Sequence, residues 1–170
     1  MIVNTNTEVS IIIPARNAEH FITKCLQSIQ QQSFQNFQVL VVDNDSPDRT
    51  VEKVLSFVST DKRFRLLRSS ALGVSNARNL GLREAQSKFV TFVDADDFIS
   101  DNHIQILMDI VSTTQADMGV TGFSYETEDG NILGTFSALK VKMHAEEAIR
   151  QPMISMGFKE LCGIRFSERQ

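Results

Sequence analysis

The chain has 170 residues, 42% of them hydrophobic and 22% charged, a composition typical of one globular domain with its own core. Its formal net charge of −4 argues against binding nucleic acid over a broad surface, which needs an excess of lysine and arginine. The sequence starts without the basic and apolar regions of a signal peptide, and no apolar run approaches the ~20 residues of a membrane span. We therefore expect a cytoplasmic location, at most peripheral to the inner face of a membrane.

Strand and helix patterns alternate from the first apolar run onward. Val9–Ile13 is a β-branched apolar run stopped by Pro14, which predicts a buried strand. Apolar residues then recur at helical spacing from Phe21 to Ile29 and predict the first helix. The apolar run Gln38–Val42 predicts the second strand.

The second helix is predicted to begin at Ser46 and Pro47, which are the residue types of an N-cap and a first helical turn. The later elements continue the alternation. They are a strand at Arg63–Leu67, a helix at Ser75–Ala85, a strand at Phe89–Val93, a helix around Ile104–Val111 and a strand at Met118–Phe123. Four strand–helix units in succession predict an α/β fold with a mostly parallel central sheet flanked by helices.

The pattern changes after the last of these strands. Asp129 and Gly130 lie between two extended stretches and predict the turn of a hairpin. The tail from Ala145 is predicted to be helical. No linker composition divides the chain, so we expect a single domain overall.

Acidic residues follow two of the predicted strands. The second strand ends in Asp43-Asn44-Asp45, and the fourth ends in Asp94-Ala95-Asp96-Asp97. Ligands of open parallel sheets bind beyond the carboxyl ends of the strands, so both clusters are expected at one edge. Grouped carboxylates repel one another unless a cation lies between them, and Mg²⁺ or Mn²⁺ prefers oxygen ligands. The alternative for each acid alone is a turn or a helix N-terminus.

Four segments resemble, in order and spacing, the motifs of a known family. They are Val9–Asn17, Val41–Ser46, Gly73–Gly81 and Phe92–Asp97. Together they resemble family 2 glycosyltransferases of the GT-A fold, a Rossmann-like nucleotide-binding architecture. The resemblance implies inverting transfer of a sugar from a nucleoside diphosphate to an acceptor hydroxyl. It also implies a role in bacterial polysaccharide or glycan synthesis, with a glycan or lipid-linked acceptor.

By this resemblance, the base of the nucleotide would be held at the ends of the first two strands. Its pocket would have a rim of four consecutive residues, Pro14, Ala15, Arg16 and Asn17. Asp43, with Asp45 beside it, would accept a hydrogen bond from the base, which the resemblance indicates to be uracil. Many relatives have an aromatic residue at the position of Arg16, whose planar guanidinium can also stack on a base.

The resemblance places the metal and the phosphates at the end of the fourth strand. Asp94 and Asp96 would form the D-x-D pair, with Asp96 as the direct ligand of the metal and Asp94 nearer the ribose. Ala95 between them is small enough for the backbone to approach the nucleotide. Arg78, with Asn79 beside it, would lie toward the phosphates or the base.

The resemblance also divides the chain by role. Residues 1–125 would form the nucleotide-sugar-binding core, and residues 126–170 would begin the acceptor-side region. An inverting transfer needs a general base, usually Asp or Glu. In relatives this acid lies well downstream of the D-x-D motif, so we expect the present chain to lack it and assign no catalytic residue.

Two alternatives stay open on the sequence alone. Haloacid-dehalogenase-like phosphatases also place D-x-D after an apolar strand, but there the motif lies on the first strand, and Phe98 occupies the place of a Thr or Val. A nucleotide-binding module without catalytic activity would carry the same binding residues.

Overall fold

The computed structural model describes residues 7–127 and 129–137 in full, and the backbone of residues 162–165. Helices and strands alternate through most of this part of the chain. In chain order they are β1 (Val9–Ala15), α1 (Ile22–Gln30), β2 (Phe37–Asp43), α2 (Thr50–Thr60), β3 (Phe64–Arg68), α3 (Val74–Glu84), β4 (Phe89–Phe92), α4 (His103–Thr114), β5 (Met118–Val120), β6 (Phe123–Glu126), β7 (Ile132–Phe136) and β8 (Cys162–Arg165). The predicted order of four strand–helix units is confirmed.

A six-stranded sheet forms the centre of the fold, in the order β3-β2-β1-β4-β8-β5. The four strands from β3 to β4 pair in parallel, whereas β8 pairs antiparallel with both β4 and β5. The predicted α/β class, a mostly parallel central sheet flanked by helices, is therefore confirmed. Because β8 lies between β4 and β5, these two strands do not pair with each other. Each pairs instead with β8, which comes much later in the chain.

The two faces of the sheet pack into separate apolar clusters. One face of β1 contributes Ile11 and Ile13 to a cluster that includes buried residues of α1, α2 and α4. The other face contributes Ile12, which packs with Ala77 of α3 in a second cluster. Helix α3 lies very close to β1, since a Cβ atom added to Gly81 would be 2.4 Å from Cγ2 of Ile12.

Strand β1 continues past Pro14, where the sequence predicted that it would stop. On one side its ladder with β2 runs to Ala15, whose carbonyl accepts the N–H of Asn44 at 2.9 Å. On the other side the N–H of Val93 donates to the carbonyl of Ile12 at 3.1 Å. Pro14 has no N–H to extend this second ladder. As a result, β1 and the chain after β4 separate at this point.

Helix α2 begins at Thr50, so the prediction of a start at Ser46 and Pro47 is wrong. The backbone N–H and the hydroxyl of Ser46 both form hydrogen bonds outside the helix instead. Its N–H donates to Oδ1 of Asp43 at 3.2 Å, and its Oγ accepts the N–H of Asn17 at 3.2 Å. These bonds hold the segment as a turn after β2, in competition with a helical start.

The part of the chain after α4 differs from the prediction in one respect and agrees in another. The single strand predicted at Met118–Phe123 is two strands, β5 and β6, separated by a break. Strands β6 and β7 pair antiparallel, and Gly130 has a φ of 80°, which confirms the predicted hairpin turn. The predicted helical tail lies mostly outside the described residues, and its described part, β8, is a strand. Within the described ranges, no helix is both long and apolar enough to span a membrane.

Candidate functional site

A cleft of about 520 Å³ opens where the chain after β4 separates from β1. Its walls come from the loop after β1, the start of α3 and the loop after β4. The lining residues are Pro14, Arg16, Asn17, Ala18, Phe21, Val74, Arg78, Asp94, Ala95 and Asp96. This volume is in the range of sites for small molecules. The position beyond the carboxyl ends of parallel strands is where open α/β sheets bind their ligands.

Three carboxylates gather in the loop that follows β4. One oxygen from each of Asp94, Asp96 and Asp97 lies within 4.8 Å of the other two. The loop turns tightly there, because the N–H of Asp97 donates to the carbonyl of Asp94 at 3.1 Å. The group offers only hard oxygen ligands, which suit Mg²⁺ or Mn²⁺. The sequence interpretation named Asp94 and Asp96 as ligands and did not assign Asp97, although it stands directly beside them.

Arg78 is the cation that the structure places against this group. Its Nη2 donates to Oδ1 of Asp94 at 2.7 Å, and both side chains are partly exposed. A divalent cation among these carboxylates would offset their mutual repulsion. Asn79, the next residue of α3, is exposed and does not line the cleft.

The acidic residues after β2 lie apart from this group. Asp43 is buried and accepts the N–H of Ser46, whereas Asp45 is exposed and has a φ of 62°. Neither belongs to the carboxylate group or lines the cleft. Strand β1 separates β2 from β4, and two strand spacings place the strand ends about 10 Å apart. Among the residues that the structure describes, the loop after β4 alone supplies the carboxylate group.

The sequence interpretation gave no role to Asn44, which the structure shows fixing the loop before α3. The side chain is buried. Its Nδ2 donates to the carbonyl of Ala71 and its Oδ1 accepts the N–H of Gly73, each at 2.7 Å. Gly73 has a φ of 112°, a backbone conformation that favours glycine. Through these two bonds Asn44 sets where α3 begins, and hence where Val74 and Arg78 reach the cleft.

The rim on the β1 side is also fixed by two side chains of the segment after β2, one in the loop and one at the start of α2. Asn17 has a φ of 51°, and its N–H is bonded to Ser46. The N–H of Ala18 donates to Oγ1 of Thr50 at 2.8 Å. Arg16 precedes these anchored residues, is exposed and lines the cleft.

Phe21, the first residue of the apolar pattern that predicted α1, lines the cleft. It is the N-cap residue of α1, and 50% of it is exposed. Val74 lines the same cleft from α3 and is 49% exposed. Both side chains offer apolar contact area to a ligand. Apolar spacing alone does not separate such a residue from its buried neighbours at the helix start.

The thiol of Cys25 lies beneath the carboxylate group. Burial raises the pKa of Cys25 to about 12, and the nearby charges of Asp97, Asp96 and Asp94 act in the same direction. The thiol therefore keeps its proton at neutral pH. Its Sγ lies 3.6 Å from the carbonyl oxygen of Asp94, to which it donates.

Sequence comparison gives one family and several relatives. The model of the family described as "Glycosyl transferase family 2" matches residues 10–167. An uncharacterized glycosyltransferase of Bacillus subtilis, EpsJ, is 33% identical over 158 residues, which cover 93% of this chain and 44% of EpsJ. The Escherichia coli protein WfgD is named a UDP-Glc:α-D-GlcNAc-diphosphoundecaprenol β-1,3-glucosyltransferase. It is 38% identical over 132 residues, 76% of this chain and 51% of WfgD. The chain thus spans about half the length of these curated relatives.

Solved structures agree with this result. A fragment of S. aureus TarS in complex with UDP superposes with a TM-score of 0.62 at 29% identity, over 66% of this chain and 34% of that one. The same fragment in complex with UDP-GlcNAc gives a TM-score of 0.59 at 30% identity, over 66% of this chain and 33% of that one. These likenesses confirm the GT-A fold that the sequence motifs had implied.

Proposed function

Because the chain belongs to glycosyl transferase family 2, we propose that it binds a nucleoside-diphosphate sugar and a divalent cation in the cleft between β1 and β4. The bound sugar would be transferred, with inversion, to the hydroxyl of a glycan or lipid-linked acceptor. The observation that carries the proposal is the group of Asp94, Asp96 and Asp97 at the edge of this cleft, beside Arg78. Family membership also decides against the phosphatase alternative.

The side chains present fit a Mg²⁺ or Mn²⁺ ion. Asp96 is exposed and lines the cleft, so its carboxylate is available as the direct ligand. Asp94 accepts a hydrogen bond from Arg78 and belongs to the carboxylate group, and Asp97 lies close enough to contribute an oxygen. When bound, such a cation neutralises charge on a departing diphosphate. Arg78 supplies a second positive charge at the same place, which would bind and orient the phosphates.

The spacing between the strand ends suits a nucleotide that spans them. With its phosphates at the acids after β4, the base would reach the end of β2, about two strand spacings away. There the carboxylate of Asp43 would accept a hydrogen bond from an N–H of the base, with Asp45 beside it. The rim of Pro14, Ala15, Arg16 and Asn17 would border the base. We propose uracil because the similar TarS fragment was solved with UDP and with UDP-GlcNAc.

The division by role is part of the same proposal. Residues 1–125 would bind the donor, and residues 126–170 would begin the acceptor side. The curated name of WfgD specifies an acceptor linked to diphosphoundecaprenol, a lipid carrier, which supports a lipid-linked acceptor here. We place the reaction in the cytoplasm, at most peripheral to the membrane.

A thermal-shift experiment with matched ligands tests the donor and metal together. We expect UDP with Mn²⁺ to raise the melting temperature more than either ligand alone, and more than ADP with Mn²⁺. A ligand at a hundredfold excess over its dissociation constant stabilises the native state by about 2.7 kcal/mol. No stabilisation by any nucleoside diphosphate with Mn²⁺ or Mg²⁺ would contradict the proposal. Binding without sugar transfer in the full-length protein would favour the non-catalytic module.

Asp43→Asn tests whether this carboxylate recognises the base. Asparagine keeps an oxygen for the N–H of Ser46 but has an NH2 group in place of the oxygen that would accept the N–H of the base. UDP affinity should therefore fall by roughly 1–3 kcal/mol. The affinity for inorganic diphosphate with Mn²⁺ should stay the same, because the carboxylate group after β4 is intact. Asp109→Asn, the same change on an exposed residue of α4 that does not line the cleft, serves as control. Equal losses for UDP and diphosphate would show that Asp43 does not contact the base. Calorimetric titration measures both affinities.

A further inference from the structure

Helix α1 presents polar residues to the loop that joins β4 to α4. Cys25, Ser28 and Gln32 are spaced three and four residues apart, so they lie on one side of the helix and of the turn that follows it. Cys25 and Gln32 are fully buried, and Ser28 is partly buried. We call these three residues the polar stripe. Buried polar groups need partners, and here most of the partners lie in residues 94–104.

Gln32 binds the far end of this loop. Its Oε1 accepts the N–H of Ile104 at 3.0 Å, and its Nε2 donates to the carbonyl of Ser100 at 2.7 Å. The same Nε2 also lies 3.1 Å from the carbonyl of Ser28. One buried amide thus satisfies a carbonyl of the loop and an N–H in the first turn of α4, and it ties both to the end of α1.

The other two residues of the stripe bind the near end and the middle of the loop. Ser28 Oγ accepts the N–H of Ile99 at 3.2 Å and donates to the carbonyl of Cys25 at 2.7 Å. Cys25 Sγ donates to the carbonyl of Asp94. Each contact is to backbone, so the stripe fixes the path of the loop and leaves the carboxylates of the loop to face elsewhere.

The loop needs such support for two reasons. Between β4 and α4 the backbone forms no strand or helix, so its shape depends on contacts from other elements. It also carries three carboxylates within 4.8 Å of one another, and their mutual repulsion favours a more open loop. Hydrogen bonds from a buried helix oppose that opening.

We propose that the polar stripe positions the acidic loop, so that Asp94, Asp96 and Asp97 are held at the spacing of a cation site before the cation arrives. The inference rests on the metal site of the proposed function. The three stripe residues are positioning residues, since none of them lines the cleft. A site whose ligands are already in place binds its cation more tightly than one that must first close against repulsion.

A matched set of serine variants separates positioning from general stability. Ser28→Ala removes the bond to the N–H of Ile99 together with a local bond to the carbonyl three residues earlier. Ser56→Ala on α2 removes a local bond of the same kind at an exposed position, because Ser56 Oγ donates to the carbonyl of Lys53 at 2.6 Å. Ser28→Thr keeps the hydroxyl and should restore the function of the serine.

We expect Ser28→Ala to weaken Mn²⁺ affinity about tenfold, the lower end of the range for residues that orient metal ligands. Ser56→Ala should leave the affinity unchanged, and Ser28→Thr should return it to within about twofold of the original. The electron paramagnetic resonance signal of free Mn²⁺ measures these affinities. Amide hydrogen exchange should also speed up across residues 94–104 in Ser28→Ala, with or without the metal.

A second variant keeps the test independent of a single position. Gln32→Met has nearly the same length and removes the bonds to Ser100 and Ile104, so its exchange and Mn²⁺ affinity should change in the same direction. Unchanged affinity and exchange in folded Ser28→Ala would overturn the inference, as would a failure of Ser28→Thr to restore them. If the unmodified chain binds no Mn²⁺, the proposed metal site fails, while exchange in the loop still decides whether the stripe positions it.

Discussion

Replacing Asp96 by asparagine is expected to lower the affinity for Mn²⁺ in the presence of UDP by at least about a hundredfold. Substitution of a residue that only orients a metal ligand lowers metal affinity 10–100-fold, so substitution of a direct ligand should lower it at least as much. The fold should be unaffected, because Asp96 is exposed and exposed substitutions change stability by about 0.5 kcal/mol or less. Removing one of three clustered negative charges also relieves repulsion in the ligand-free protein.

Asp101→Asn is the control for this variant. Asp101 is exposed on the same loop and contributes its backbone carbonyl to the N–H of Ser33, a bond that the substitution keeps. Both variants change the net charge equally, so a purely long-range electrostatic effect would lower Mn²⁺ affinity in both. Titration of Mn²⁺ with UDP present distinguishes them. A folded Asp96→Asn protein with its Mn²⁺-dependent UDP affinity intact would remove Asp96 from the metal site.

Gly81→Ala is expected to destabilise the fold by about 2 kcal/mol, although alanine is the better helix former by roughly 1 kcal/mol. The added Cβ would be 2.4 Å from Cγ2 of Ile12 and 3.2 Å from its Cγ1 and Cδ1. Ile12 is fully buried in the central strand, so neither side chain has room to move. Overpacking of this kind typically costs 1–3 kcal/mol. Urea unfolding measures the change.

The same substitution in an Ile12→Ala protein identifies the cause. All three atoms that the new Cβ would approach belong to the side chain that this background removes. Gly81→Ala should then become stabilising by about 0.5–1 kcal/mol, because only the helix propensity remains. When the effects of two neighbouring substitutions on stability do not add, the two side chains interact directly. A constant destabilisation in both backgrounds would place its cause elsewhere in α3.

The elements that the sequence predicted well are those with strong local signals. Val9–Ile13 and Gln38–Val42 are continuous apolar runs, and each appears as a buried strand, slightly longer than predicted. The acids after β4 were found for the same reason, since they directly follow such a run. The alternation of strands with helices predicts that the strands run parallel. The edge of the sheet at which Asp94 and Asp96 lie could therefore also be predicted.

The features that were missed depend on partners distant in sequence. Ser46 has the residue type of an N-cap, but its hydroxyl is taken by the N–H of Asn17, and α2 starts later. Asn44 has no local pattern that would reveal its bonds to the loop before α3. The insertion of β8 between β4 and β5 depends on a segment of the tail that the sequence predicted to be helical.

The position of β8 has a consequence for how this protein is made. The chain emerges from the ribosome N-terminus first. Strands β1 to β4 can therefore pair and pack against α1 to α3 while the later part is still being synthesised. During that interval the backbone N–H and carbonyl groups along one side of β4 have no partner strand, because β8 at Cys162–Arg165 has not yet emerged. An open strand edge pairs readily with other chains. This edge of β4 stays open until β8 pairs between β4 and β5.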